Sequence, residues 1–129
     1  MKKIILLLWV LSLVFLGCKE DVLNLKIRYD QIQGLQEGDR VIFQQNQIGA
    51  VKGVFYSEKG FYTVDTVIRK NVAYTATEYS KFFIITDPQI EDRKAIEMIQ
   101  IHNGGSILEN NTTVEGSTAT SAFFYHFFD

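Results

Sequence analysis

Cysteine and proline are almost missing from this chain, which has one of each in 129 residues. A single cysteine excludes an intrachain disulfide and any zinc site built from several thiolates. The one proline, Pro88, follows Asp87 and marks the only proline break in the sequence. An excess of positive charge is also lacking: 13 Lys and Arg stand against 15 Asp and Glu, for a net charge of -2. Phosphate-backbone binding needs a concentrated basic surface, so nucleic acid is not an expected partner. The two histidines, His102 and His126, have no metal-ligand spacing to a cysteine or carboxylate. What is present is 47% hydrophobic and 22% charged residues, a balance that suits one folded domain and not a disordered chain.

The N-terminus has its own character. Met1-Lys2-Lys3 leads into an apolar run from Ile4 to Gly17, directly followed by Cys18. The run is 14 residues long, whereas a helix crossing a ~30 Å hydrocarbon core takes about 20. A basic start, a short apolar run and a small residue at the end fit a secretory signal peptide. Phe15-Leu16-Gly17-Cys18 resembles a bacterial lipoprotein cleavage box, with Phe15 where Leu is usual. That resemblance implies a signal peptide over 1–17, acylation of Cys18 and a lipidated tether over 18–22. The alternative is an uncleaved anchor in the inner membrane. Both place the rest of the chain outside the cytoplasm, on the periplasmic side of a bacterial envelope. Lys19, after the cysteine, points to the outer membrane under related sorting rules. Loss of Lys2 and Lys3 takes the net charge from -2 to -4, so attraction to anionic headgroups is not the means of attachment.

Beyond the tether, the pattern is that of strands. Leu23, Leu25, Ile27 and Tyr29 alternate with Asn24, Lys26, Arg28 and Asp30, the period of a strand with one buried face. Gly34 and Gly38 mark a turn. Val41-Ile42-Phe43 and Ile48-Gly49-Ala50-Val51 flank Gln44 to Gln47 and predict a hairpin with a four-residue link. The second strand continues to Tyr56 with Gly53 as a bulge, then Ser57 to Gly60 turns into a strand over Phe61 to Arg69. Lys70 to Glu78 has no strong helical period. Tyr79 to Thr86 contains Phe82-Phe83-Ile84-Ile85, a strand buried on both sides, and Asp87-Pro88 breaks it. Ala95 to Ile101 allows a helical turn, but a short segment before Gly104-Gly105 favours a strand. Ser106-Ile107-Leu108 and Thr113-Val114-Glu115 form an expected terminal hairpin. About seven short strands imply an all-β barrel or sandwich.

The last residues differ from the rest. Phe123 to Phe128 places five aromatics in six positions, either a tail folded over the barrel or an apolar patch for a partner or bilayer. Together with Phe82 to Ile85 it is expected to supply more apolar surface than a monomer needs. No nucleophile with a base, no P-loop and no cofactor motif is present, so neither enzymatic activity nor a cofactor is expected. A hydrolase using Ser106 or His102 is the weakest alternative. Glu91 to Lys94 reads as a solvated charged stretch.

Tyr29-Asp30, Gly34-Leu35, Gly38-Asp39, Val41 and Ile48-Gly49-Ala50-Val51 resemble the opening of a mammalian cell entry (MCE) domain. Tyr79 to Ile85, Asp87-Pro88 and Ile96 to Ile101 resemble its later strands around a pore loop. Ser106 to Gly116 is similar to its closing hairpin. The Phe-rich strand ending in Asp-Pro-X-Ile resembles the paraquat-inducible B-type branch. The likeness covers about Leu23 to Gly116. It implies a seven-stranded MCE-type β-barrel over 23–116, followed by an aromatic tail over 117–129. It further implies a homo-hexameric or mixed MCE ring that passes phospholipid or another hydrophobic molecule, with an ABC-type permease and ATPase as partners. Pro88 and Ile90 are the apolar residues near the tip of the implied pore loop, and Ile90 is the candidate to face lipid. The alternative for Ile90 is a side chain packed back on the barrel. The alternative function is a small lipoprotein β-domain that scaffolds an envelope complex without carrying lipid.

The lipoprotein reading has a direct test. Cys18→Ser is expected to leave a full-length precursor and abolish incorporation of labelled fatty acid. Normal labelling of the variant would mean the run ending at Gly17 is an uncleaved anchor.

Overall fold

A computed structural model describes residues 21–117; Cys18, the apolar run before it and Phe123 to Phe128 lie outside the described residues. Seven strands are formed: β1 (Val22–Tyr29), β2 (Arg40–Phe43), β3 (Asn46–Tyr56), β4 (Tyr62–Arg69), β5 (Ser80–Thr86), β6 (Lys94–Gln100) and β7 (Thr112–Glu115). A 3₁₀ helix, Lys70–Thr75, follows β4; its three-residue turn explains the missing 3.6-residue period there. The strands make one curled sheet in the order β5-β6-β2-β3-β4-β1-β7, an all-β half-barrel. Pairing is antiparallel apart from β2 with β6 and β1 with β7.

The alternation in β1 is realised: Leu23, Leu25, Ile27 and Tyr29 are buried while Lys26 and Arg28 are exposed. These residues meet Val41, Val51, Val64, Ile68, Phe82, Ile96 and Met98 in a core whose side chains fill the inside of the curl. Burial of each such aliphatic or aromatic side chain stabilises the fold by ~1.5–3 kcal/mol. Phe83 points to the other face and is also fully buried, so β5 is covered on both sides as its unbroken apolar run predicts. Phe82 to Ile84 are therefore interior residues and not the surplus surface expected of them. β6 is a strand, and its core face carries Ile96 and Met98, with Ile99 and Ile101 only half-buried.

Two details sharpen the hairpin expected between β2 and β3. The link is two residues, Gln44 and Gln45, with φ of 50° and 68°. Left-handed conformations at both positions give the turn whose twist matches the flanking strands. Farther along β3 the register shifts between Val51 and Gly53, which leaves Lys52 as the extra residue of a bulge. Gly49 is required by packing: a Cβ there would run into the carbonyl of Val67 on β4.

The expected terminal hairpin does not form. β7 pairs in parallel with β1, Leu25 opposite Thr112 through Arg28 opposite Glu115. Ile107 bridges Thr77 instead, with Leu108 N donating to Ala76 O at 2.9 Å. Each half found a free backbone edge elsewhere, and β1 offered a long one. This pairing also closes the curl. Ser117 N donates to Phe82 O at 2.9 Å, and the Tyr29 hydroxyl donates to the same oxygen at 3.1 Å. Gly116 leaves the space that the Tyr29 ring occupies.

Strand directions define two ends. The start of β1, the 3₁₀ helix, the start of β5 and the end of β6 share one end, since Val22 pairs with Arg69 and Ser80 with Gln100. The turn between β3 and β4 and the loop between β5 and β6 share the other, since Tyr29 pairs with Tyr62 and Arg40 with Ala95.

Gly49→Ala is expected to force β3 and β4 apart and destabilise the domain by at least about 1–3 kcal/mol, the usual scale of overpacking. Urea unfolding measures it; an unchanged midpoint would show that the β3–β4 approach is looser than described.

Candidate functional site

The loop between β5 and β6 spans Asp87 to Arg93 and contains Pro88 and Ile90. Its ends are joined by Asp87 N donating to Arg93 O at 2.8 Å. Asp87 does not merely break the strand. Its Oδ1 accepts from the backbone N–H of Gln89 at 2.8 Å and of Ile90 at 3.1 Å, which folds the chain tightly after Pro88. The same carboxylate takes a two-pronged contact from Arg40 at the start of β2: Nε to Oδ2 at 2.8 Å and Nη2 to Oδ1 at 2.7 Å. Arg40 Nη1 reaches on to Gln89 Oε1 at 3.2 Å.

The other side of the loop is held in the opposite sense. Arg93 Nε donates to Asp39 Oδ1 at 2.7 Å, and its Nη2 lies 2.6 Å from the same oxygen. Nη2 also reaches Glu37 O at 3.3 Å, while Asp39 Oδ2 accepts from Gln36 N at 2.9 Å. Adjacent residues of opposite charge, Asp39 and Arg40, thus grip the loop at Arg93 and Asp87. The parallel pairing of β2 with β6 sets the two pairs side by side. Both carboxylates are buried, with side-chain exposures of 0% for Asp39 and 1% for Asp87.

These contacts set the electrostatics. Hydrogen bonding from Arg40, helped by the two backbone N–H groups, holds the Asp87 carboxyl well below the usual carboxylate range, and burial only partly opposes this. Arg40 is correspondingly held more firmly in its charged form, first by its hydrogen bond to Asp87.

The expected solvated stretch Glu91 to Lys94 is therefore only half solvated. Glu91 and Asp92 are exposed, but Arg93 turns inward to Asp39, and Lys94 Nζ lies 3.3 Å from Thr86 Oγ1. Pro88 is exposed at the tip. Ile90 is 45% exposed. Beneath Ile90 lies a shallow cavity of about 140 Å³, walled by Asp39, Arg40, Asp87 and Arg93. The loop thus offers an apolar tip on a charged, rigid base.

Other singled-out residues lie apart from it. His102 is exposed at the opposite end, edge-on to Tyr79 with ring centroids 5.4 Å apart. Ser106 is exposed nearby, and its carbonyl accepts from Glu78 N at 3.0 Å. Among the described residues no group of three His, Cys, Asp or Glu could hold a metal ion. Asp39, Arg40, Asp87 and Arg93 were not apparent as a unit in the sequence, because the partners lie 47 and 54 residues apart.

The curled seven-stranded sheet has the MCE-type β-barrel fold. It matches a chain of the Acinetobacter MlaFEDB complex in its ATP-bound Vtrans1 conformation, with a TM-score of 0.64 at 14% sequence identity, over 97% of this chain and 95% of that one. At that identity the likeness is one of fold. No protein-family model matches the chain, and no curated protein sequence matches it either.

Arg40→Ala leaves the buried Asp87 anion without its partner and is expected to destabilise the domain by ~3–5 kcal/mol. Asp87 adds a pH signature. Its folded value is depressed, so its stabilisation is complete above the ordinary Asp range, near pH ~4, and is lost as pH falls below it. The unfolding free energy of the natural chain should decline in that window. Asp87→Asn should start lower and decline less, and equal slopes would show that Asp87 does not carry the difference.

Proposed function

We propose that the chain is a membrane-tethered MCE-domain component of a ring that passes phospholipid or another hydrophobic molecule across the bacterial envelope. In this reading residues 1–17 are a signal peptide, 18–22 a lipidated tether that begins at Cys18, 23–116 the MCE domain and 117–129 an aromatic tail. The tether sits on the periplasmic side, and the ring is a hexamer of this chain or a mixed one. The partners are an ABC-type permease and ATPase, and no chemical step on the cargo is required. The similar chain from the ATP-bound MlaFEDB complex supports the link to an ATP-driven assembly.

The observation that carries this reading is the filled interior. Leu25, Ile27, Val41, Val51, Val64, Ile68, Phe82, Ile96 and Met98 are each at most 1% exposed, so no acyl chain fits inside the curl. Moving a lipid through water exposes ~0.8 kcal/mol per CH₂, so a dry path has to run between subunits. Ile90 and Pro88 are the exposed apolar side chains of the loop, and they are the candidates to line that path.

A photo-crosslinking side chain at position 90 is expected to capture lipid, whereas one at position 58, in the β3–β4 turn at the same end, is not. Equal capture at both, or none at 90, would remove Ile90 from the path and favour the scaffold. Ile90→Asp is expected to fold normally and block transfer. If it fails to fold, Ile90 is a packing residue.

A further inference from the structure

Six large hydrophobic side chains among the described residues are conspicuously exposed, and they fall into two groups of three. Phe55 and Tyr56 at the β3–β4 turn share the loop end with Ile90. Tyr74 (65% exposed), Tyr79 (40%) and Ile107 (54%) lie at the opposite end. That second end is where the described chain begins: Lys70 N, at the first residue of the 3₁₀ helix that carries Tyr74, donates to Asp21 O at 3.3 Å.

The three side chains stand on a platform tied by backbone bonds. Ile107 bridges Thr77, Glu78 N donates to Ser106 O at 3.0 Å, and Ile101 N donates to Tyr79 O at 3.0 Å. The Tyr79 ring rests over Gly105, where a Cβ would collide with it, and against His102. The connections that carry the patch and flank it hold both signs of charge, Arg69 and Lys70 with Glu78 and Glu109, so it has no polybasic character. Tyrosines with a half-exposed isoleucine suit the boundary between headgroups and acyl chains, where an apolar body and a polar tip are both satisfied.

Chain length decides what this patch faces. The anchor ends at Gly17 or Cys18, and an extended chain covers at most ~3.6 Å per residue, so Val22 lies within about 14–18 Å of it. The eight residues of β1 carry the loop end roughly 26 Å farther off at ~3.3 Å per residue. The end that carries Tyr74, Tyr79 and Ile107 is thus confined near the anchoring bilayer, whereas the loop end can stand up to that much farther from it.

We propose that Tyr74, Tyr79 and Ile107 form a membrane-resting face that seats the barrel on the interface of the bilayer holding its tether. The inference rests on the tethered reading of residues 1–22. Contact with the interface fixes the tilt of the barrel, which a tether alone does not set, and so sets the height of the Pro88–Ile90 loop above the membrane.

The test uses the full chain in phosphatidylcholine vesicles whose acyl chains carry bromine near the headgroup. Trp9, the only tryptophan, is replaced by Trp9→Phe, and a single reporter is introduced by Tyr74→Trp or by Phe55→Trp. Emission from position 74 is expected to shift to the blue and to be largely quenched by the brominated lipid, while emission from position 55 is not. Flotation of the same samples reads the tether separately. Protein that floats with position 74 unquenched, or with both positions quenched alike, overturns the resting face and leaves the tether standing. The first of these results would assign the patch to a protein partner. Protein that does not float overturns both.

Discussion

A small sheet that curls on itself has to fill its own interior, and this one does so with aliphatic and aromatic side chains from every strand, the short β7 adding only the partly buried Val114. That constraint governs the rest. Because the inside is solid, nothing can be bound there, and any activity has to reside at the ends of the barrel, on its outer face or between copies. Strand pairing then decides which loops share an end. The two parallel contacts, β2 with β6 and β1 with β7, do most of this arranging. The first places the β5–β6 loop beside the start of β2, and the second closes the sheet through Ser117, Phe82 and Tyr29.

The crossed pairs Asp39–Arg93 and Arg40–Asp87 convert that placement into rigidity. A loop of seven residues with one proline would otherwise have several conformations open to it. Here both ends are gripped by neighbouring residues of β2 and its approach, and the Asp87 carboxylate serves the Arg40 guanidinium and two loop N–H groups at once. Buried pairs of this sort are weak evidence of extra stability, since desolvation offsets much of the attraction. Their effect here is to specify one geometry for the residues between them.

Much of this fold was legible in the sequence because it depends on local signals. The period of β1, the apolar run of β5 and the glycines at 34, 38 and 49 each point to a conformation that the structure contains; Gly34 and Gly38 have φ of 88° and 89°. What was not legible depends on register across distant segments. Asp87 before Pro88 looks like a simple strand break until Arg40, 47 residues earlier, is set opposite it. Ser106 to Glu115 has the pattern of a hairpin, and only the presence of free edges at Thr77 and along β1 separates its halves. The exposed group of Tyr74, Tyr79 and Ile107 comes from two connections, β4–β5 and β6–β7, that share no motif, so no single stretch of sequence announces it.

The opposed positions of the first and last described residues bear on how copies assemble. β1 starts at one end of the barrel, and β7, parallel to it, ends toward the other. On the tethered reading proposed above, copies held to one membrane through the first end would share a common polarity along the membrane normal. Two-fold axes lying in the membrane plane are then unavailable to them, which excludes dihedral assemblies and leaves cyclic ones. In a cyclic ring every β5–β6 loop occupies the same level, so the loops form one annulus, and its two openings are chemically unlike each other.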